Sequence, residues 1–161
     1  MGYSLFIGII VFLLMGPLWA QTDNRTIVGS GNEYLSKGSW AITMGQYDEG
    51  IRLTHLGVER YMTSPEDRAS AYSNLCAAHA AKGEVDVAIE FCNESLALVG
   101  GNWRAYSNRA YAYLLKGLYS EATFDVDTAA SINPRSRQGQ QIRGMINEAS
   151  FRPRVIMEDH Q

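Results

Sequence analysis

Charge is scarce in this chain, and scarcest at its start. Residues 1–20 contain no Asp, Glu, Lys or Arg, so the net charge of −3 belongs wholly to the rest of the sequence. Charged residues make up 19% of the chain, below the quarter or so of ordinary globular domains. No basic stripe stands out. The nearest is Arg135, Arg137, Arg143, Arg152 and Arg154, which reads as solvated surface. A nucleic-acid partner needs a concentrated basic face, so none is expected. Histidine is also scarce: His55, His79 and His160 are dispersed, and no His-Glu-x-x-His, P-loop or nucleophile elbow occurs. No catalytic constellation, metal set or cofactor motif can be assembled, and the chain is read as a non-enzyme. His79 reads as a packed core histidine. The two cysteines, Cys76 and Cys92, are far apart and do not form a Cys-x-x-Cys pair, which argues against a redox enzyme. No cysteine lies near Ala20, which excludes a lipid-modified N-terminal cysteine.

The uncharged start has a pattern of its own. Leu5 to Met15 is almost wholly apolar, Gly16-Pro17 breaks it, and Leu18-Trp19-Ala20 precedes the polar Gln21-Thr22-Asp23-Asn24-Arg25. This order predicts a secretory signal peptide over residues 1–20, cleaved after Ala20. The apolar run is short of the ~20 residues of an easy membrane span. An uncleaved N-terminal anchor is the alternative, and it is the only membrane contact expected. Either way the rest of the chain is expected to be exported, to the periplasm or, as the alternative, by secretion. Residues 21–30 read as a flexible segment. Asn24-Arg25-Thr26 and Asn93-Glu94-Ser95 match the short glycosylation acceptor pattern, which also arises by chance.

The remainder repeats. Tyr72-Ser73-Asn74 recurs 34 residues later as Tyr106-Ser107-Asn108, and Lys82-Gly83 and Ala88 recur at the same offset as Lys116-Gly117 and Ala122. A looser copy surrounds Met44-Gly45-Gln46-Tyr47, 38 residues ahead of the second. Each copy reads as two helices. In copy two, Tyr72, Leu75, Cys76, His79 and Ala80 share one helical face. Gly83 stands where a left-handed C-cap is needed. A second helix over 85–98 turns Val85, Ala88, Ile89, Cys92 and Leu96 inward. In copy three the inward set is Tyr106, Ala110 and Tyr113, then Tyr119, Ala122, Val126 and Ala129. Ser64-Pro65-Glu66-Asp67 and Asn102 carry helix-start signals. Gly38, Cys76 and Ala110 hold one place in the three first helices, and Gly50, Ala88 and Ala122 one place in the second helices. Small residues at matched points let paired helices cross closely. No copy can bury its apolar face alone, so the array folds as a stack.

This order of aromatic, small residue, turn glycine, alanine and closing proline resembles the tetratricopeptide repeat. The resemblance covers residues 31–134 and is best over Trp103 to Pro134. Copy one departs from the family at Gly50, Gly57 and Met62, and copy two ends in Gly100 instead of proline. The resemblance implies an all-α, right-handed α-α superhelix. The expected segments are repeat 1 at 31–64, repeat 2 at 65–102, repeat 3 at 103–135, a capping helix at 136–150 and a loose tail at 151–161. It also implies that Cys76 and Cys92 face each other across a helix pair, as a disulfide or as two buried thiols.

In the family the first helices line a concave groove. Transferred here, the lining is Leu35, Ser36, Ser39 and Thr43, then Ser70, Ser73, Asn74 and Ala77, then Arg104, Ser107, Asn108 and Tyr111. Asn74 and Asn108 either bond a bound peptide backbone or bond across the groove to hold neighbouring helices in register. Arg104 suits a carboxylate and Tyr111 a flat apolar contact. Some relatives clamp a peptide's C-terminal carboxylate. Asn74 and Arg104 match two of those places, but Asn108 stands for a basic residue and Leu35 and Ser39 replace Lys and Asn, so the clamp is incomplete. The implied function is an exported scaffold or adaptor that binds a peptide segment of a partner protein. The alternative is an accessory chaperone for envelope protein assembly.

Overall fold

The computed structural model describes residues 32–61 and 64–151. The expected signal peptide, the 21–30 segment with its Asn24 acceptor pattern, His160, Arg152, Arg154 and all of the tail beyond Phe151 lie outside the described residues. What is described is helical: α1 (Glu33–Thr43), α2 (Tyr47–Tyr61), α3 (Pro65–Ala81), α4 (Val85–Leu98), α5 (Trp103–Leu115), α6 (Tyr119–Ile132) and α7 (Arg137–Phe151). Among these residues no helix is long and apolar enough to cross a membrane.

The starts and stops follow local chemistry. The Asn32 side chain accepts from the Tyr34 and Leu35 amides, Ser64 from Asp67, and Asn102 from Arg104 and Ala105, so orphan helix donors find partners. Pro65 opens α3, where its missing amide proton costs nothing. The first helix of each pair closes on a glycine in the left-handed region: Gly45, Gly83 and Gly117, with φ of 78°, 80° and 77°. At Gly83 the Glu84 amide reaches back to the His79 carbonyl at 2.9 Å and the Gly83 amide to Ala80 at 3.0 Å. This Schellman closure needs a residue free of a Cβ penalty.

Helices α1 and α2, α3 and α4, and α5 and α6 pack as pairs. Each new first helix then lies on the pair before it: α3 on α1 and α2, α5 on α3 and α4, α7 on α5 and α6. The core is therefore a chain of contacts between neighbours. One buried cluster joins Cys76, Ala80, Ala88, Cys92, Ala105 and Ala112, and the next joins Ala110, Ala122, Val126, Ile142 and Ile146. Alanine dominates it because the backbones approach closely. The first pair shows how little room there is: a Cβ built on Gly38 would lie 3.1 Å from the Gly50 carbonyl, and one on Gly50 would lie 2.4 Å from Ile42 Cγ1. Ion pairs repeat with the register. Lys82 Nζ reaches Asp48 at 2.8 Å and Lys116 Nζ reaches Asp86 at 2.6 Å, each lysine bridging to the preceding repeat.

The His79 side chain packs, with 15% of its surface exposed. Its ring stacks on Phe91 at 5.3 Å while a ring nitrogen meets the Glu84 carboxylate, so an imidazole serves as both flat surface and polar tip. One sequence expectation changes: Tyr119, the first residue of α6 after the Leu118 cap, is 38% exposed, while Ala122, Val126 and Ala129 farther along the same face are buried.

Candidate peptide-binding groove

Helices α1, α3 and the start of α5 present the first-helix face of the stack. A cavity of about 190 Å³ opens there. Its walls are Leu35, Ser36 and Ser39 from α1, Glu66, Ala69, Ser70, Ser73 and Asn74 from α3, Val99, Gly101 and Asn102 from the α4–α5 turn, and Trp103 and Arg104 from the start of α5. Four of the lining side chains, Ser36, Ser39, Ser70 and Ser73, are small hydroxyls. The charged side chains in its lining are Glu66 and Arg104. The Arg104 guanidinium lies 4.3 Å from the Trp103 ring centroid, so the indole both orients and partly desolvates it. Burial pushes this guanidinium below its ordinary value, yet an arginine keeps its charge throughout the physiological range.

Of the residues singled out from sequence, Ser73, Asn74 and Arg104 meet at this cavity. Ser107, Asn108 and Tyr111 do not line it. Ser107 is wholly buried, and its hydroxyl has no hydrogen-bond partner among the described residues. Asn108 is 6% exposed and donates to the Ser73 carbonyl and hydroxyl at 3.0 and 3.2 Å, while Gln138 donates to its oxygen at 2.7 Å. Tyr111 is half-buried against both core clusters. The reading of Ser107 and Asn108 as open groove contacts is corrected by this burial. Asn74 does at α3 what Asn108 does at α5: its amide donates to the Leu35 carbonyl at 2.9 Å. The two asparagines thus pin successive first helices in register, the second of the roles open to them. Asn74 alone keeps a half-buried position on the cavity wall.

The sequence reading missed Trp103, Glu66 and the Val99–Asn102 turn. Trp103 carried a signal, being a bulky aromatic at the first position of α5 beside Arg104. The turn carried none, since its approach to α1 is set by how the pairs stack. Arg109 and Asp125 were missed as well. Arg109 donates from Nε and Nη2 to the two Asp125 oxygens at 2.6 and 2.8 Å, and from Nη1 to Asn93 at 2.6 Å. Asp125 is 1% exposed, and its carboxylate holds the Arg109 guanidinium above its ordinary value. This fork ties α4, α5 and α6 together and is structural. Cys76 and Cys92 are joined in a disulfide between α3 and α4. Of the arginines near the end, Arg135 and Arg137 are exposed and Arg143 pairs with Asp127.

The helix pairs with their shared register can be set beside solved structures. The first TPR domain of human RPAP3 superposes with a TM-score of 0.61 at 24% identity, over 73% of this chain and 89% of that one. The chain has the tetratricopeptide-repeat fold. A second tetratricopeptide domain, the first TPR of Spaghetti (RPAP3) bound to the HSP90 peptide SRMEEVD, gives a TM-score of 0.58 at 23% identity, over 73% of this chain and 91% of that one. In sequence, the chain is 30% identical over 122 residues to DnaJ homolog subfamily C member 3 of Gallus gallus, covering 76% of this chain and 22% of that protein. It therefore spans about a fifth of the length of the curated relatives it matches. No family model matches the sequence.

Proposed function

We propose that this tetratricopeptide chain is an interaction module that binds an extended peptide segment of a partner protein along the α1–α3–α5 face. The observation that carries the reading is the cavity between Ser36, Ser39, Ser70, Asn74 and Arg104. It offers hydroxyl and amide groups to a peptide backbone and one cation, stacked on Trp103, to a carboxylate. The similar Spaghetti domain binds a peptide ending in two glutamates, a valine and an aspartate, which supports peptide capture by a domain of this fold. The clamp of such relatives is incomplete here, so Arg104 contacts an acidic side chain or terminus without the further basic groups. Export is part of the proposal. A disulfide persists in an oxidising compartment and is rare in the cytosol, and the leader-like residues 1–20 supply the route.

The test is site-specific photo-crosslinking in the native host, with a probe at Ser39, which is exposed on the cavity wall, and a control probe at Glu90, exposed on α4. A single defined adduct from Ser39, lost on Ser70→Trp and absent from Glu90, is expected. Adducts from Glu90 alone, or from neither site, would remove the groove from the mechanism.

A further inference from the structure

The two ends of the stack are finished differently. In α3 and α5 the residues that face the preceding repeat are small or cationic. Ala71 and Ala78, and likewise Ala105 and Ala112, are 0% exposed, and Lys82 and Lys116 reach back to Asp48 and Asp86. Helix α1 has the same register, with Gly38 matching Cys76 and Ala110. Its equivalents of those positions are Glu33, Trp40 and Met44. No repeat precedes α1 among the described residues, and Trp40 is 63% and Met44 58% exposed. The far end is different: α7 buries Ile142 and Ile146 and leaves Gln140, Gln141, Asn147 and Glu148 exposed beside a 43%-exposed Met145. A stack needs a polar outer face at both ends to stay soluble. Among the described residues the last helix comes nearer to that than α1, where the larger apolar surface of Trp40 and Met44 is open.

We propose that the exposed Trp40 side of α1 is a docking surface for the chain's own residues Ile27 and Val28. Three observations select this occupant. The first is reach. Asn32 is the N-cap of α1, so the chain before it is tethered to this helix. Five residues back to Ile27 span at most ~17 Å, whereas Trp40 lies only ~12 Å along the helix axis from that cap. A helical side chain also leans toward the helix N-terminus, which brings the indole over the Ser36–Lys37 turn and nearer to the incoming chain. The second is sequence. Gly29-Ser30-Gly31 is turn chemistry, and Ile27-Val28 are the only aliphatic residues between Ala20 and Asn32. The third is area. A stable pairing with a second copy needs ~800 Å² from each partner, and one stripe of an 11-residue helix provides far less. A tethered segment has no such requirement, because its docking is intramolecular.

The experiment uses the full chain as its host processes it, with Trp19→Phe and Trp103→Phe leaving Trp40 as the sole indole. Acrylamide quenching of Trp40 is compared with that of the same chain carrying Ile27→Asp and Val28→Asp, with circular dichroism to confirm equal helicity. The expected result is a shielded, blue-shifted Trp40 whose quenching rises severalfold in the double variant and returns to the shielded level in Ile27→Leu, Val28→Leu. Equal quenching in all three would overturn the proposal. So would shielding that is lost on hundredfold dilution, which assigns the edge to a second copy, or shielding that requires added anionic vesicles, which assigns it to a membrane surface.

Discussion

The first and second helix pairs make the same crossing with different chemistry. In the first, Gly38 and Gly50 put backbone against backbone, and a Cβ on Gly38 would stand 2.7 Å from Thr54 Oγ1. In the second, Cys76 occupies the Gly38 place and Cys92 the Thr54 place, and the two are bonded. The third pair uses Ala110 and Val126 there and adds the buried Arg109–Asp125 fork beside them. The distance between the helices fixes how large a side chain may be at the crossing. It does not fix what holds the helices there. A covalent bond, an ion pair and a glycine contact are three solutions to one geometric demand, and they differ in strength and in what disturbs them.

The ion-pair solution is the most costly to break. Asp125→Ala leaves the Arg109 charge without its carboxylate in a largely enclosed site, and removing one partner of a buried pair costs ~3–5 kcal/mol. Arg109 keeps 17% of its side-chain surface, so the loss in urea unfolding should sit at the lower end, about 3 kcal/mol. A loss under ~1 kcal/mol would place the pair among ordinary surface bridges. The covalent solution comes next. Cys76→Ala with Cys92→Ala opens a loop spanning a sequence separation of 16, worth about 3 kcal/mol in the loop-entropy model, where measured effects often fall short. Reduced wild-type protein should unfold at nearly the same urea concentration as the double variant. If reduction has no effect, the bond does not contribute to the second pair.

The glycine solution should show a change of sign between two helices. Gly38→Ala gains up to ~1 kcal/mol of helix propensity but forces a Cβ against a hydroxyl and a carbonyl, and overpacking costs ~1–3 kcal/mol. A net loss of roughly 1 kcal/mol is expected. Gly144→Ala, whose Cβ would meet nothing within 4 Å, should instead stabilise by up to ~1 kcal/mol. Thermal unfolding of both variants decides it, and equal signs would refute the close crossing. The smallest effect lies at the surface of the second pair. Glu84 is held below the ordinary value of 4.5, first by its bond to His79 and then by Lys82. Folding therefore favours its charged form. That contribution is complete above pH 4.5 and fades as pH falls through the lower folded-state value. The Tm advantage of wild type over Glu84→Gln, measured down a pH series, should be small near neutrality and vanish at the acid end.

The helix pairs were legible because their signals are local. The turn glycine repeats at Gly83 and Gly117, and the capping side chains Ser64 and Asn102 stand immediately before their helices. The 34-residue offset fixes which small residue meets which. The groove was legible only as a face. Asn74 and Asn108 repeat in sequence, yet one lines a cavity and the other is buried under Gln138, a residue 30 positions later that nothing nearby foretells. Trp103 and the Val99–Asn102 turn joined the cavity through the stacking of successive pairs on one another. Arg109–Asp125 was hidden for a related reason: its partners are 16 residues apart on different helices, and neither spacing nor composition marks a buried charge.

By itself the sequence determined the helices, their order and the register in which they pair, because capping, turn conformation and periodic small residues act within a few positions of the chain. The tertiary structure decided which polar residues are consumed by the fold and which face outward. It placed Asn108 under α7, joined Cys76 to Cys92, and left Trp40 exposed at the edge where α3 and α5 carry buried alanines. Each of those outcomes depends on which neighbouring helix lies against the residue. That is settled by packing between distant segments, where burial of one polar group or one indole turns on a few ångströms of helix position.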